Sequence, residues 1–419
     1  MGFNVRDWLR NPQVHLANIA VVRRRKGLVG CLRFCLGKLF PRPEIVIAEF
    51  IRSRRGDYRG VYVLPVTIAW ESETFQRAQQ MARAFAKAGW LVVYVEPPLL
   101  NPGGNVFSPM PGLFVVSSAD FRRSLSGLEG CLVSLYSTAL LWSGRPSPAE
   151  ALCRGNRVVY EYIDHIDEFV SGPETAGIRT AFDAAIGLSS VISFAASARV
   201  LREELLHRGV GDVVYSPNGV EPEHFSLENV DAIMSRIRLP AVLQEGGRVK
   251  IGYFGSLAKW LDSRLLDEVM QVHPEWDFIF IGPEYVFGGA DFNRTLPNCH
   301  CLGPIPYAVL PAYASCFDIA MLPFVRGEIA RATSPVKLFE YFALGKPVIV
   351  TPDMAECMAF KEVFVADGPK DFARQVEKAL AVGRDPQATA ALRRLAGDNS
   401  WDRRAEELIR GVGMEDAVG

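Results

Sequence analysis

The 419-residue sequence has almost no net charge, no cysteine spacing of a disulfide-bonded domain and no compositional bias of a disordered chain. Its 46 Lys and Arg residues are balanced by 47 Asp and Glu residues, a formal charge of −1, so we expect no nucleic-acid partner. The eight cysteines follow no small-domain pattern, which is typical of reduced cytosolic thiols. A hydrophobic fraction of 49% indicates a globular protein, and the length fits two domains of about 200 residues.

Clusters of metal-ligating residues are also scarce. The triplet Cys299-His300-Cys301 contains suitable residue types, but neighbouring residues of a strand point to opposite faces and no second ligand pair exists. We therefore interpret the triplet as structural and predict no metal site.

Positive charge is concentrated at one end of the chain. Residues 1–60 contain 13 Lys and Arg against 4 Asp and Glu, a net charge of +9, which leaves −10 for the rest. Within this segment, residues 26–40 predict a helix with a broad apolar surface and one narrow polar stripe. Arg33 and Lys38 interrupt the apolar run, which is too short to span a bilayer. The helix is predicted either to lie on the anionic cytoplasmic membrane surface or to pack on its own domain with a solvated basic end. We accordingly expect a cytoplasmic protein, free or peripheral on the inner membrane face.

The stretch 334–350 is the part of the sequence where chemistry is expected to converge, as a turn, helix, turn and strand. Ser334 suits the N-cap and Pro335 the first helical position. The unpaired amides of the first turn and the side chain of Lys337 would form an anion site. Glu340 lies one turn further on the same face, where a carboxylate can accept hydrogen bonds from sugar hydroxyls. The alternative is a capped helix on a sheet, with Lys337 and Glu340 as an exposed pair.

Strands that alternate with helices predict parallel sheets. A strand at 61–68, a helix at about 75–87 and a strand at 91–95 form a βαβ unit with a right-handed crossover. Pro65 predicts that the first strand lies at a sheet edge or carries a bulge. Further strands are predicted at 113–116, 130–136, 157–162, 191–194, 249–254, 276–282, 299–302 and 318–322.

Several charged side chains are predicted at the carboxyl ends of these strands, where open α/β sheets bind ligands. Asp164 and His165 follow the strand 157–162 and are suited to general-base chemistry when partly desolvated. The alternative is a helix cap or a surface cluster. Arg77, in the loop-to-helix segment after the first strand, could reach a bound anion or lie on the helix surface. Glu161 is a weaker candidate.

The run Pro335-Val-Lys-Leu-Phe-Glu-Tyr341, followed by Gly345-Lys-Pro-Val348, resembles the nucleotide-binding signature of retaining GT-B glycosyltransferases. The similarity is to group 1, or family 4, members of the teichuronic-acid type. Arg77-Ala-Gln-Gln80 and Ser216-Pro-Asn-Gly-Val-Glu221 resemble further segments of that family. The resemblance spans about residues 60–410. It implies an α/β fold of two Rossmann-like, doubly wound domains that face a cleft, with a C-terminal helix that crosses back.

We divide the chain accordingly into a basic amphipathic N-terminal segment (1–60), an N-terminal acceptor domain (61–225), a linker (226–247), a C-terminal nucleotide-sugar domain (248–400) and a crossing helix with tail (401–419).

The resemblance implies a nucleoside-diphosphate sugar as the donor substrate, with no separate cofactor. Glu340 would hold the ribose, and Gly255 would allow the backbone to approach a phosphate that Lys259 helps to neutralise. The expected donor-binding residues are Gly255, Ser256, Lys259, Thr333, Ser334, Pro335, Val336, Lys337, Leu338 and Glu340. The expected catalytic residues are Asp164, His165 and Lys337.

Two features bear on the chemistry. The sequence contains no Asp-x-Asp pair, so a metal-bridged diphosphate is not expected and amides with basic side chains would stabilise the leaving group. Many members of the family have a glutamate eight residues before the ribose-binding glutamate, and here that position is Ala332. We interpret this as a variant loop in which Thr333 and Ser334 still donate hydrogen bonds.

The sequence therefore predicts a retaining, hexosyl-type glycosyltransferase that acts on a glycan or lipid-linked acceptor in cell-surface polysaccharide synthesis. Two alternatives stay open: a catalytically silent GT-B scaffold that binds a nucleotide, a glycan or a partner protein, and a GT-B nucleotide-sugar epimerase.

Overall fold

The computed structural model describes residues 45–72, 74–96, 106–118, 120–137, 148–285 and 288–415. The amphipathic helix predicted at 26–40 lies outside these ranges. Across the described ranges, no helix combines the length and the apolar character that crossing a membrane requires.

The first half of the chain forms an eight-stranded sheet in the order β3-β4-β2-β1-β5-β6-β7-β8. Hydrogen-bonded neighbours are parallel except for β3, which runs antiparallel to β4. Its strands are β1 (Val61–Pro65), β2 (Leu91–Glu96), β3 (Val106–Met110), β4 (Leu113–Ser117), β5 (Leu132–Tyr136), β6 (Arg157–Tyr162), β7 (Ser193–Ala196) and β8 (Val214–Tyr215). The associated helices are α1 (Ile47–Arg52), α2 (Arg77–Lys87), α3 (Phe121–Ser124), α4 (Pro148–Leu152), α5 (Glu168–Ser171), α6 (Thr175–Ile186) and α7 (Arg199–His207).

The edge position predicted from Pro65 is wrong, because β1 lies in the centre of the sheet between β2 and β5. Pro65 is the last residue of the strand, so its missing amide removes no bond from the strand interior. Side chains of β1 alternate between two apolar cores. Val61 and Val63 pack on one face of the sheet, while Tyr62 and Leu64 pack on the other. Helices therefore cover both faces, as in a doubly wound fold.

Helix α2 shows how the local sequence builds this layer. Ala78 and Phe85, seven positions apart, lie on its buried face, as the helical period requires. The backbone amide of Gln76 donates to the Gln79 side chain at 3.1 Å and caps the first turn. Gly89, with φ of +83°, ends the segment in a conformation that favours glycine.

The second half forms a six-stranded parallel sheet in the order β11-β10-β9-β12-β13-β14. Its strands are β9 (Val249–Phe254), β10 (Trp276–Ile281), β11 (Cys299–Gly303), β12 (Ile319–Leu322), β13 (Val348–Val350) and β14 (Phe364–Val365). Its helices are α8 (Leu227–Met234), α9 (Ala241–Gln244), α10 (Ser263–Val272), α11 (Leu310–Ala314), α12 (Glu328–Ala332), α13 (Val336–Ala343), α14 (Ala355–Met358), α15 (Pro369–Gly383), α16 (Pro386–Asp398) and α17 (Trp401–Gly411).

The last helix returns to the first domain. Trp401, Ala405 and Leu408 of α17 belong to the apolar core on the α2 face of the first sheet. The crossing is anchored by Val220, whose amide donates to the Asn399 carbonyl at 3.0 Å and whose carbonyl accepts from the Trp401 amide at 2.9 Å. Two doubly wound domains with a crossing C-terminal helix confirm the architecture predicted from the sequence.

Candidate functional site

The two domains meet along a cleft that is bridged by aromatic and hydrogen-bond contacts. The rings of Phe75 and Tyr307 stack with their centroids 4.6 Å apart, and the Gln80 amide donates to the Tyr307 hydroxyl at 2.7 Å. Nearby, the Tyr285 hydroxyl donates to the Val170 carbonyl. Loops that follow the carboxyl ends of strands in both sheets therefore lie opposite each other, which is where open α/β sheets bind ligands.

The start of α13 differs from the sequence prediction by one position. Pro335 occupies the N-cap position and Val336 is the first helical residue, with no side-chain cap. The predicted cap, Ser334, is engaged elsewhere, because its hydroxyl accepts from the backbone amide of Asn218 at 3.0 Å and its carbonyl accepts from the Asn218 side chain. The Leu338 amide donates to the Pro335 carbonyl at 3.2 Å, which leaves the amides of Val336 and Lys337 without an intrahelical partner. The helix N-terminus thus keeps unpaired amides and the positive end of the helix dipole, although Ser334 is used to join the domains.

Lys337 lies against the loop that follows β9. A Cβ built on Gly255 would stand 2.0 Å from Lys337 Cε and 2.7 Å from its Nζ. The ammonium also lies 5.6 Å from the centroid of the Tyr253 ring, and the Tyr253 hydroxyl donates to the Ser256 carbonyl at 3.0 Å. The structure therefore brings together three predicted donor-binding residues, Gly255, Ser256 and Lys337, around one ammonium group.

Glu340 is buried, with 3% of its surface exposed. Desolvation raises the pKa of its carboxyl group to about 8, although the nearby Lys337 opposes this rise. The alternative interpretation, an exposed Lys337–Glu340 pair, is therefore wrong. A buried carboxyl group with this pKa is mostly protonated at neutral pH and can both donate and accept hydrogen bonds.

Asp164 faces this helix from the first domain. It is partly buried, and desolvation raises the pKa of its carboxyl group to about 6, while the charges of Arg77 and Lys337 act in the opposite direction. Asp164 is therefore within electrostatic reach of Lys337 across the cleft. His165 interacts electrostatically with Glu328, where it helps to lower the pKa of that carboxyl group, after the larger effect of Arg331. The two candidate catalytic residues of the first domain, Asp164 and His165, thus interact with different residues of the second domain.

Arg77 does not lie on the helix surface and is already paired. It is buried and forms an ion pair with the equally buried Glu161 at 2.7 Å. Its guanidinium also donates to Ser216 at 2.8 Å and to the Asn218 side chain at 3.2 Å. The interpretation of Arg77 as a helix-surface residue is therefore wrong, because the fold surrounds its guanidinium with four acceptors, from Glu161, Ser216, Asn218 and the Pro217 carbonyl. Its contact with a bound anion stays a prediction.

The other residues that are predicted to bind the donor lie partly at the cleft and partly in the packed cores of the two domains. The Lys259 ammonium lies 5.7 Å from the Phe169 ring of the first domain, so the side chain reaches across the cleft. The Thr333 hydroxyl donates to the Ile329 carbonyl at 2.6 Å. Leu338 is 1% exposed and belongs to the core of the second domain, and Val336 packs against the core of the first. These last two residues support the helix.

The unusual Ala332 is buried among apolar residues of the first domain. In this arrangement α12 packs on α7, and a glutamate at position 332 would carry a carboxylate into that apolar contact. The fold thus provides a packing reason for the small apolar residue.

Asn218 and Tyr307 join the domains beside the site, and the sequence did not predict this role for either of them. In the sequence, Asn218 is only one residue of the run 216–221 that resembles the family, and Tyr307 lies in a connection without regular pattern. Both act through contacts more than 100 positions away in the chain with Ser334 and Gln80, at separations of 116 and 227 residues.

A cavity of about 280 Å³ lies on the other side of α13, and Arg199, Tyr215, Glu356, Phe360 and Arg404 contribute to its walls. Neither Lys337 nor Glu340 is among its lining residues. The Glu356 carboxylate accepts from the Arg199 amide at 2.6 Å and from the Arg199 guanidinium at 3.1 Å, which connects α14 to the first domain. This cavity lies between the two domains and is separate from the site around Lys337 and Glu340.

This two-domain arrangement, with its cleft between facing sheets, is the GT-B fold. Solved structures with the same fold include sucrose-phosphate synthase from Thermosynechococcus elongatus, with a TM-score of 0.60 and 13% identity over 84% of this chain and 98% of that chain. They also include a UDP-forming trehalose-phosphate synthase from Burkholderia xenovorans with glucose-6-phosphate bound, with a TM-score of 0.62 and 12% identity over 84% of this chain and 100% of that chain. A third structure is that of Anabaena HepE in complex with UDP and glucose, with a TM-score of 0.55 and 13% identity over 84% of this chain and 99% of that chain.

Two sequence similarities point to a narrower group of proteins than the GT-B fold does. Residues 260–410 match the family model described as glycosyl transferase-like. A putative teichuronic acid biosynthesis glycosyltransferase of Bacillus subtilis, TuaH, is 28% identical over 205 residues, which are 47% of this chain and 50% of the relative. The chain thus spans about half the length of the curated relative it matches. These matches confirm the resemblance to group 1 glycosyltransferases that the motif at 335–341 indicates.

Proposed function

We propose that this protein is a glycosyltransferase that moves a sugar, with retention, from a nucleoside-diphosphate sugar to a hydroxyl of a glycan or lipid-linked acceptor. The observation that carries the proposal is the placement of Lys337 and Glu340 on the cleft side of α13, with Lys337 against Gly255 and Asp164 opposite. An ammonium, a helix N-terminus and a buried carboxyl group together match a diphosphate followed by a ribose.

The donor would bind with its diphosphate between the Gly255 loop and the first turn of α13. Lys337 and the free amides would stabilise the negative charge that develops as the nucleoside diphosphate leaves. Glu340 would hydrogen-bond the ribose hydroxyls. Bound phosphate oxygens would add further acceptors near the Lys337 ammonium, which in the present structure interacts with Asp164 through space.

The acceptor would approach from the first domain. A pKa of about 6 leaves Asp164 mostly ionised near neutral pH while keeping it basic enough to take part in proton transfer. We propose that Asp164 orients the acceptor hydroxyl. The role in cell-surface polysaccharide synthesis is supported by the similarity to the teichuronic acid enzyme, and the UDP complex of HepE makes uridine nucleotides the first donors to test.

The experiment has two stages. Thermal shift with a panel of nucleoside-diphosphate sugars, starting with UDP-glucose, identifies the donor, since a ligand at 100 times its dissociation constant stabilises by about 2.7 kcal/mol. Turnover with and without glycan acceptors then decides the class. Nucleoside diphosphate released only with acceptor supports a transferase. An epimerised donor indicates the epimerase, and tight binding without turnover indicates the scaffold.

Two variants test whether the donor binds at Glu340. Glu340→Ala should weaken donor binding about tenfold or more, through loss of two hydrogen bonds to the ribose hydroxyls of roughly 0.5–1.5 kcal/mol each. Glu377→Ala is the matched control, because Glu377 is exposed on α15. Equal donor affinity in both variants would remove Glu340 from the site.

Metal independence is part of the proposal. Among the described residues, no three His, Cys, Asp or Glu side chains form a metal-binding group, and basic groups with amides supply the charge stabilisation. Transfer should therefore continue in EDTA. Complete loss of activity that a divalent ion restores would contradict this part.

Membrane association through residues 1–60 is also proposed. The net charge of +9 would attract the segment to anionic lipid, and each basic residue near the surface contributes about 1 kcal/mol that salt screens. The full-length protein should sediment with anionic liposomes at low salt and be released more easily after deletion of 26–40. If the protein stays in the supernatant at low salt, this proposal fails.

A further inference from the structure

A carboxylate of the second domain reaches the start of a helix in the first domain. The helix is α7, and its N-cap residue, Ala198, provides no side-chain cap. The Oε1 atom of Glu356 accepts from the Arg199 amide at 2.6 Å, and its Oε2 atom accepts from the Arg199 guanidinium at 3.1 Å. Glu356 thus supplies the cap that the local sequence lacks, and its negative charge lies at the positive end of the helix dipole.

A second group of the first domain binds the same carboxylate. The hydroxyl of Tyr215, at the end of β8, donates to Glu356 Oε2. The Arg199 guanidinium lies 5.2 Å from the centroid of the Tyr215 ring, so the two first-domain partners also contact each other. Only 5% of the Glu356 surface is exposed. One buried carboxylate therefore accepts three hydrogen bonds from the opposite domain.

Neighbouring contacts fix the position of Glu356. Its helix, α14, follows a turn in which Asp353 has a φ of +73°, a left-handed conformation that is uncommon for residues other than glycine. The Asp353 carboxylate accepts from the guanidinium of Arg331 in α12 at 3.1 Å. Ala332 of α12 packs in the same first-domain core as Leu201 of α7. The helices α12 and α14 therefore approach α7 together, one through an apolar contact and the other through Glu356.

The segment that follows Tyr215 is also attached to the second domain. The backbone amide of Asn218 donates to the Ser334 hydroxyl at 3.0 Å, and Ser334 lies just before α13. The segment 215–218 is thus held at both ends, by Glu356 and by Ser334. These contacts position the first domain beside the helix that carries the predicted donor-binding residues.

We propose that Glu356 is an interdomain clasp, whose carboxylate holds α7 and β8 of the first domain against the second domain and maintains the closed arrangement of the cleft. The contacts of the clasp are polar, and the Arg199 side chain is 55% exposed. Water can replace such partners when the domains separate, so the clasp opens without unfolding of either domain. Removal of the carboxylate therefore shifts the population toward an open arrangement.

The clasp has a consequence for donor binding, and this consequence rests on the proposed function. A nucleoside-diphosphate sugar that is held by α13 and faces Asp164 contacts both domains only in the closed arrangement. Its apparent affinity then falls with the fraction of molecules that are closed. Glu356→Ala should therefore weaken binding of UDP-glucose at least threefold.

Hydrogen exchange and small-angle X-ray scattering test the clasp on the full chain without ligand. Glu356→Ala should accelerate amide exchange at the start of α7 at least threefold and should increase the radius of gyration. Tyr215→Phe keeps the ring but removes one donor, and it should produce a smaller change of the same kind. Glu377→Gln, at an exposed carboxylate of α15, is the matched control and should behave as wild type.

The double variant Glu356→Ala with Tyr215→Phe separates the clasp from two unrelated local effects. After Glu356→Ala the Tyr215 hydroxyl has already lost its acceptor, so the second substitution should add little to the change in exchange. Additive effects would overturn the proposal. Unchanged exchange in α7 after Glu356→Ala would also overturn it, because a role confined to the second domain does not alter a helix of the first.

Calorimetric titration of UDP-glucose on the same variants tests the effect on the donor. If exchange in α7 rises while the affinity for UDP-glucose stays the same, the clasp is supported and its effect on donor binding is rejected. If the wild type does not bind UDP-glucose, the proposed uridine donor is rejected. The exchange and scattering measurements need no donor, so they decide on the clasp in either case.

Discussion

The side chain of Lys337 lies directly over the α-carbon of Gly255, so closely that a methyl group on that carbon would stand 2.0 Å from Lys337 Cε. Gly255 also has a φ of +132°, which L-residues with side chains rarely adopt. Position 255 therefore needs glycine for two independent reasons, backbone conformation and the space that the lysine occupies.

Gly255→Ala should displace the Lys337 ammonium and weaken donor binding at least tenfold, because the diphosphate loses its nearest charge. Gly247→Ala is the matched control. Its φ is +95°, and nothing lies within 4 Å of the added Cβ, so it reproduces backbone strain without the clash. Calorimetric titration of the donor compares the two variants. Similar donor affinities in Gly255→Ala and Gly247→Ala would show that donor binding does not depend on the present position of the Lys337 side chain.

Glu340→Gln should increase stability in a pH-dependent way. The unfolded carboxyl group titrates near 4.3, and burial raises the pKa of Glu340 to about 8 in the folded state. The raised folded pKa means that stability is fully present below the unfolded pKa and is lost as pH rises toward 8. Glutamine does not titrate and avoids this loss. The free energy of unfolding of Glu340→Gln should therefore exceed that of the wild type by little at pH 5 and by roughly 3–5 kcal/mol at pH 8.5. Chemical unfolding at the two pH values measures it, and an equal gain at both would contradict the burial argument.

Asp164→Asn should lower kcat by about 10²-fold or more and should remove the acidic limb of the pH profile. In the wild type, kcat/KM should rise with pH through about 6, the pKa to which burial raises Asp164, because the ionised form is the active one. Glu168→Gln changes an exposed carboxylate four positions along the chain and should keep the limb. An unchanged profile in Asp164→Asn would assign the limb to another group.

Arg77→Met should destabilise the first domain by roughly 3–5 kcal/mol, since it leaves the Glu161 carboxylate buried without its charge partner. Arg77→Met combined with Glu161→Gln should recover part of that loss. Arg374→Met, at a side chain that is 66% exposed, should change the free energy of unfolding by less than about 0.5 kcal/mol. Loss of donor affinity without loss of stability in Arg77→Met would instead support the predicted contact of Arg77 with a bound anion.

The pattern of strands and helices could be predicted because it depends on short-range periodicity. The strand at Arg157–Tyr162 has the predicted bounds, and α2 begins within two residues of the predicted start. Pro65 misled the prediction, because the proline stands at a strand end, where its missing amide has no structural consequence. Whether a strand is central depends on which strands pair with it, and no local window contains that information.

The sequence by itself determined the two-sheet α/β organisation, the helix that carries Lys337 and Glu340, and the resemblance to GT-B glycosyltransferases, since all three follow from periodicity and motif spacing. Only the tertiary structure decided that Arg77 pairs with Glu161, 84 residues away, that Asn218 engages Ser334, 116 residues away, and that Glu340 is buried. These outcomes depend on how the domains dock and how much water remains around each group, and neither quantity is encoded at any single position of the chain.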